Sequence, residues 1–298
     1  MPLQLISQMV SQARAGGYAI GYFESWNLES LQGVLDAAES SRSPIIVGFN
    51  GDFLARPGRL AAERLGLYGA LGRAAASEAS VPCGFIFNEC PDDGWVRKAV
   101  LSGFNLVMPA DPSAPFEESV RRVAFLTQFA HEHGVAVEAE LGVLPCGTGG
   151  ADDHGHEASL TDPDLAARFV EETGVDLLAV SVGNVHIRLE GRGGLDLERL
   201  GRIAGRVPCG LVLHGGTGIE PESLRLAVGL GVVKVNFGTY LKQRYLAAIR
   251  SALRSDCPDP HRLLGIGGDE DVMTAGRIAV RDAVLERIGT LGCAGRAT

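Results

Sequence analysis

Eight short runs of β-branched, aromatic and aliphatic residues recur along the chain, separated by longer stretches that include helical periodicity. This alternation constrains the fold more than any other feature of the sequence. The runs are AIGYFES (19–25), PIIVGFN (44–50), PCGFIFNE (82–89), FNLVMPA (104–110), AVEAELG (136–142), DLLAVSVG (176–183), GLVLHGG (210–216) and VVKVNFG (232–238). Helical patterns lie between them, among them 27–41, 115–134 and 162–174. Asp162 stands ahead of an acidic first turn and Gly174 follows the last periodic residue, which are start and stop signals for a helix. Strands alternating with helices build a parallel sheet. Eight of them match the count of an α/β (β/α)8 (TIM) barrel, a fold that runs to about 250 residues as one unit. A doubly wound open sheet would carry fewer strands and a G-x-G-x-x-G turn after the first, and GYFESW is no such turn. The expectation is therefore a single barrel domain over 1–298. Additional helices flank it, including a C-terminal helical extension from about 255 with a long helix near 273–290.

Composition narrows the function class. With 27 basic and 36 acidic side chains the net charge is −9, which argues against nucleic acid or an anionic membrane as the main partner. A hydrophobic content of 46% with 21% charged residues describes an ordinary soluble globular chain. The N-terminal MPLQLISQMVSQARAGG reads as a short amphipathic helix without an apolar signal core. Cys83, Cys90, Cys146, Cys209, Cys257 and Cys293 are scattered without a C-x-x-C pair, as in a cytoplasmic protein with reduced thiols. Glycine is the anomaly: 40 of 298 residues is nearly double the usual ~7%.

In a barrel of this class the active site lies at the C-terminal ends of the strands. The polar residues there are Glu24, Asn50, Asn88, Glu89, Glu138, Glu140, Asn184, His186, His214 and Asn236. His186 and His214 fall at adjacent strand ends, with Glu89 and Glu140 expected to face them across the rim. Two imidazoles and a carboxylate converging on one cavity suit a divalent metal with an open position for substrate. The other histidines carry less: His131 and His133 sit at a helix end, His154 and His156 in a loop, and His261 shows no pattern. The glycines acquire a meaning in HGGTG (214–218) and KVNFGT (234–239). Barrels frequently bind phosphate with the loops after strands 7 and 8. Gly215, Gly216 and Gly218 let the backbone approach an anion, and Thr217 and Thr239 supply hydroxyls. The long polar connection VLPCGTGGADDHGHEASLT, after strand 5, has the length of a functional lid.

In these segments the sequence resembles the class II, metal-dependent ketose-bisphosphate (fructose- and tagatose-bisphosphate) aldolases. VAVEAELG, the TGGADD segment, TDPDLAARFVEETGVDLLAVSVGNVH, GLVLHGGTGI, KVNFGTYL and the tail GCAGRAT match in order. The resemblance implies a zinc-dependent lyase, using Zn2+ or another divalent metal and existing as a homodimer or homotetramer. Its substrate would be a small phosphorylated sugar, joined or cleaved between a phosphorylated ketone and an aldehyde. Residue by residue it makes His186 and His214 metal ligands and Glu140 the carboxylate flanking the metal. It makes Gly215, Thr217 and Thr239 phosphate contacts and Asn236 a substrate contact. Asp152 is the closest replacement for a loop glutamate that takes the ketone's proton.

Departures concentrate after strand 3, where the family carries H-L-D-H-G and this chain has Ile86-Phe87-Asn88-Glu89-Cys90. Asn88 cannot shuttle a proton, whereas Glu89 can still ligate zinc in a His2Glu set. Glu24 stands where the family has Asn, Asn50 where it has Ser, and Gly238 where it has Asp or Asn. The residues facing the aldehyde are changed and those facing the phosphate retained. Glu24, Glu89, Asp92 and Asp93 are the candidates to replace the missing aspartate. The alternative is a phosphosugar-binding or regulatory paralogue without turnover. Lys234 shares parity with Asn236 and points into the barrel, where a Schiff base is a minority mechanism.

Overall fold

The computed structural model describes residues 3–144, 159–185, 192–253 and 257–297. Its eight strands are β1 (Ile20–Glu24), β2 (Ile45–Asn50), β3 (Cys83–Cys90), β4 (Leu106–Pro109), β5 (Ala136–Leu141), β6 (Leu177–Val180), β7 (Gly210–Leu213) and β8 (Val232–Phe237). They pair in parallel in chain order and close through β8 onto β1, as the eight runs predict. Most strand residues are buried, and seven of the eight strands carry at most one exception to full burial. One face packs on helices and the other fills the barrel, which is why these strands read as nearly continuous apolar runs.

Several runs outlast their strands at the C-terminal end. GLVLHGG is strand only to Leu213 and DLLAVSVG only to Val180. The residues beyond leave the ladder and turn over the barrel mouth. Asp162 caps the helix Pro163–Thr173 by accepting from the backbone N–H of Asp164 and Leu165, and Gly174 ends it in a left-handed conformation, as expected from the sequence.

Two irregularities shape the mouth. β3 slips register against β4 between Phe87 and Cys90, and inside that slip Glu89 adopts φ 53°. A bulge re-aims side chains, and a non-glycine residue at positive φ stores about 1–3 kcal/mol of strain that the surroundings must hold. After β7, Gly215 takes φ 65° and leads into a single 3-10 turn, Gly216–Gly218.

The helix Val272–Leu291 packs across the helices Leu28–Ser41 and Thr239–Ala252 on the outside of the barrel. Arg277 forks onto Asp36 with both contacts at 2.6 and 2.7 Å. Gly33 makes this approach possible, because a Cβ there would stand 2.6 Å from the Arg277 carbonyl oxygen. Gly33→Ala gains about 1 kcal/mol of helix propensity, but the backbone it meets cannot yield cheaply. The expected result is a net destabilisation of about 1–3 kcal/mol in a urea melt, with unchanged stability contradicting this packing.

Candidate active site at the barrel mouth

The C-terminal ends of the strands enclose a cavity of about 670 Å³. His214 lies at its floor and is 1% exposed. Three carboxylates converge on this one imidazole. Glu138 from β5 lies beneath it, its Oε1 2.9 Å from Nε2. Glu89 and Glu140 approach Nδ1 from the cavity side at 3.0 and 3.2 Å. Glu89 is itself steered by Asn50, whose Nδ2 donates to it at 2.8 Å. The prediction that Glu89 and Glu140 would face His214 across the rim matches this geometry.

The cluster continues below the floor. Lys234 on β8 is fully buried and contacts Glu138 Oε2 at 2.8 Å. Its ammonium also donates to Asn236 Oδ1 at 2.5 Å, which turns the amide nitrogen of Asn236 the other way. Lys234 points inward as parity demands, but it is locked under the cavity rather than lining it. Glu138 and Asn236 both hold the amine there.

The charges sort themselves by these contacts. Burial opposes protonation of His214, but hydrogen bonds to Glu138, Glu140 and Glu89 prevail and hold its imidazole well above the usual range. Burial likewise opposes ionisation of Glu138, and Lys234 and His214 overcome it, keeping that carboxyl below its ordinary value. Lys234 goes down, because burial outweighs the pull of Glu138 and Glu89. Three carboxyl groups thus meet one imidazole and one lysine, a donor-rich cluster short of basic partners.

That deficit makes the donor set suitable for a divalent ion. Two ligands about 2.1 Å from a tetrahedral ion lie about 3.4 Å apart, so the contacts at Nδ1 need open only slightly. Among the described residues no three such side chains stand already spread around a metal; His214, Glu89 and Glu140 are closed onto one another. His186, the second predicted imidazole, and Asp152 lie outside the described residues.

The other predicted residues gather at the same cavity. Gly215, Thr217, Asn236, Gly238 and Thr239 line it, as do Glu24, Asn50 and Asn88. Gly216 does not: it is packed behind the turn, where a Cβ would meet Phe237 and Val235 at 2.7 Å. Asp92 and Asp93 are also elsewhere. Asp92 caps the helix Asp93–Leu101 and Asp93 pairs with Arg122 at 2.7 Å, and neither lines the cavity. His131 pairs with Asp176 away from it.

Glu24 and Gly238 form a reciprocal pair. The Glu24 carboxylate, held by Lys242 at 2.5 Å, fills the space into which a side chain at 238 would project. Lys242 in turn rests on the Phe53 ring, 4.2 Å from its centroid.

One residue of the mouth escaped the sequence reading. Tyr22 lines the cavity and is 2% exposed, and its hydroxyl has no hydrogen-bond partner among the described residues. Burial, then Glu24, Glu89 and Glu138, push its phenol well above the ordinary value. The available signal was period-two parity with Glu24, two residues on along the same strand.

A closed parallel barrel with carboxylates and an imidazole at its strand ends, beside a glycine-rich turn, defines an enzyme-type site of the (β/α)8 class. The profile described as "Fructose-bisphosphate aldolase class-II" matches residues 4–296. A fructose-bisphosphate aldolase from Thermus caldophilus is 34% identical over 97% of this chain and 98% of its own. One from Geobacillus stearothermophilus is 32% identical over 100% and 99%. The crystal structure of the YdjI aldolase from Escherichia coli K12 superposes with a TM-score of 0.81 at 32% identity, covering 100% of both chains. The chain belongs to the class II fructose-bisphosphate aldolase family.

If Glu24 replaces a side chain at 238, the two positions are energetically coupled. Gly238→Asp alone should cost about 1–3 kcal/mol by crowding Glu24 against its lysine. Adding Glu24→Asn should recover part of that, a coupling of about 0.5–3 kcal/mol in a double-mutant cycle of thermal melts. Strict additivity would contradict the pairing.

Proposed function

We infer that this chain is a metal-dependent carbon–carbon lyase of the aldolase type, acting on a phosphorylated ketose or related keto compound. The observation that carries this reading is the convergence of Glu89 and Glu140 on His214 Nδ1 at the floor of a cavity whose rim holds the Gly215–Thr217 turn. His214, Glu89 and Glu140 are the residues that would hold the ion, with His186 assigned by its place in the sequence. A divalent ion bound there supplies Lewis-acid stabilisation of negative charge on the ketone oxygen.

The chain's own residues do the rest. The helix Thr239–Ala252 starts at the mouth without a side-chain cap, so its first N–H groups are available to an anion. Together with Gly215 and the hydroxyls of Thr217 and Thr239 they suit the substrate phosphate. Asn236 Nδ2 is buried without a partner among the described residues, and it is a donor for a substrate oxygen. Glu138 orients His214 through Nε2 and leaves Nδ1 to the cavity. Such a carboxylate behind an imidazole raises ligand basicity. Asp152 is assigned the proton of the ketone carbon, and Asn88, Glu24 and Asn50 define the altered aldehyde side. As elsewhere in the family, a homo-oligomer is the expected assembly.

The proposed metal competes with a proton. Because the surrounding carboxylates favour imidazolium, an ion arriving at Nδ1 must displace H+, and uptake should tighten as pH rises toward the raised value of His214. A metal titration should therefore show affinity growing about tenfold per pH unit for as long as His214 stays protonated, one proton released per ion. Cleavage of ketose phosphates should vanish with chelator and return with Zn2+ or another divalent ion. Cleavage that survives metal removal would refute this reading. A chain that binds metal and ketose phosphate without any turnover would favour the regulatory-paralogue alternative.

A further inference from the structure

Any aldol bond needs a proton at the oxygen of the aldehyde partner. That oxygen becomes negative as the bond forms, and its hydroxyl must lose a proton as the bond breaks. Asn88, at the mouth end of β3, has an amide with no proton to transfer. The carboxylates near it are engaged. Glu24 holds Lys242, Glu89 accepts from Asn50 and faces His214, and Glu140 faces His214 as well. Asp52 pairs with Arg56 at 2.6 Å, and Asp111 accepts from the N–H and hydroxyl of Ser113.

Tyr22 stands apart from all of these. Its oxygen is enclosed, lies in a residue that lines the cavity, and meets no hydrogen-bond partner among the described residues. The ring is fixed. β1 pairs Tyr22 with Asn236 on β8, and the Lys234 ammonium sits over the ring face, 5.1 Å from its centroid. An ammonium over the face does not satisfy the hydroxyl at the edge. Three enclosed polar atoms without partners therefore share this mouth: Tyr22 Oη, Asn88 Oδ1 and Asn236 Nδ2. Leaving such a group unpaired costs about 1–3 kcal/mol, a cost that a bound oxygen would remove. Of the three, the phenol alone has a transferable proton.

We propose that Tyr22 is a catalytic residue of this chain, its hydroxyl donating to and protonating the aldehyde-derived oxygen of the aldol substrate in place of the missing aspartate. This rests on the aldolase reading above. In bond formation the electron pair of the enediolate carbon forms the new bond to the aldehyde carbon. The C=O π pair moves onto the aldehyde oxygen, the Tyr22 O–H bond breaks, and the proton passes to that oxygen. The phenolate left behind, enclosed while substrate is bound, is reprotonated by solvent water that enters the cavity as product leaves. Cleavage runs through the same steps in reverse, the phenolate receiving the substrate's hydroxyl proton. An aliphatic alkoxide is a stronger base than an ordinary phenolate, which directs the proton toward substrate as the bond forms.

Two half-reactions separate this role from every other. With metal-loaded protein and dihydroxyacetone phosphate alone, exchange of the ketone's carbon-bound hydrogen with deuterated solvent needs no aldehyde. Condensation with a panel of aldehydes does. Tyr22→Phe should lower condensation about 10²–10⁴-fold while exchange stays within about threefold. Asn88→Asp in that background should restore condensation by about tenfold or more. Because the lost hydroxyl has no protein partner, the melting temperature should not fall. Condensation at the wild-type rate, exchange falling in parallel, no recovery with Asn88→Asp, or a lowered melting temperature would each overturn the proposal. Wild-type protein with neither exchange nor condensation would instead overturn the aldolase reading itself.

Discussion

The mouth of this barrel is organised around one buried imidazole with a carboxylate on each side. Glu138 beneath His214 and Glu89 and Glu140 above it form a column of charge that β3, β5 and β7 bring together. Lys234 from β8 balances the lower end. Burying so many ionic groups is tolerable only because each faces a partner of opposite charge or a hydrogen-bond donor. The same arrangement aims Nδ1 at the cavity. The strain at Glu89, at φ 53° inside a bulge, belongs to this column, since the bulge delivers that carboxylate to the imidazole.

The remainder of the mouth divides into a backbone-lined half and a half lined by charged side chains. The turn Gly215–Thr217 and the uncapped start of the helix at Thr239 form a backbone-lined rim. Across from it, Glu24 occupies the space left by Gly238 and takes Lys242 as its counter-ion. The space beside a residue without a side chain is thus filled by a carboxylate from the neighbouring strand.

The fold was legible because buried parallel strands announce themselves as apolar runs, and eight of them close only one way in chain order. The strand-end rule then located Glu89, Glu140 and His214 without knowledge of any contact. What lay beyond the sequence was the direction of individual side chains. Gly216 reads as part of the anion turn but packs behind it. Asp92 and Asp93 read as acids near the site, yet serve a helix cap and an ion pair with Arg122 at its edge. Tyr22 carried no motif, and its significance comes from an enclosed hydroxyl without a partner, a property of three-dimensional packing. His186 and Asp152, both assigned by resemblance, lie outside the described residues.

His214 is the proposed centre of a divalent-metal site. Elemental analysis of purified protein after dialysis against metal-free buffer tests it directly, comparing the natural chain with His214→Ala. The account predicts about one tightly held divalent ion per chain in the former, as a catalytic metal site requires, and its loss in a variant that still melts cooperatively. Equal metal content in the two proteins would contradict it.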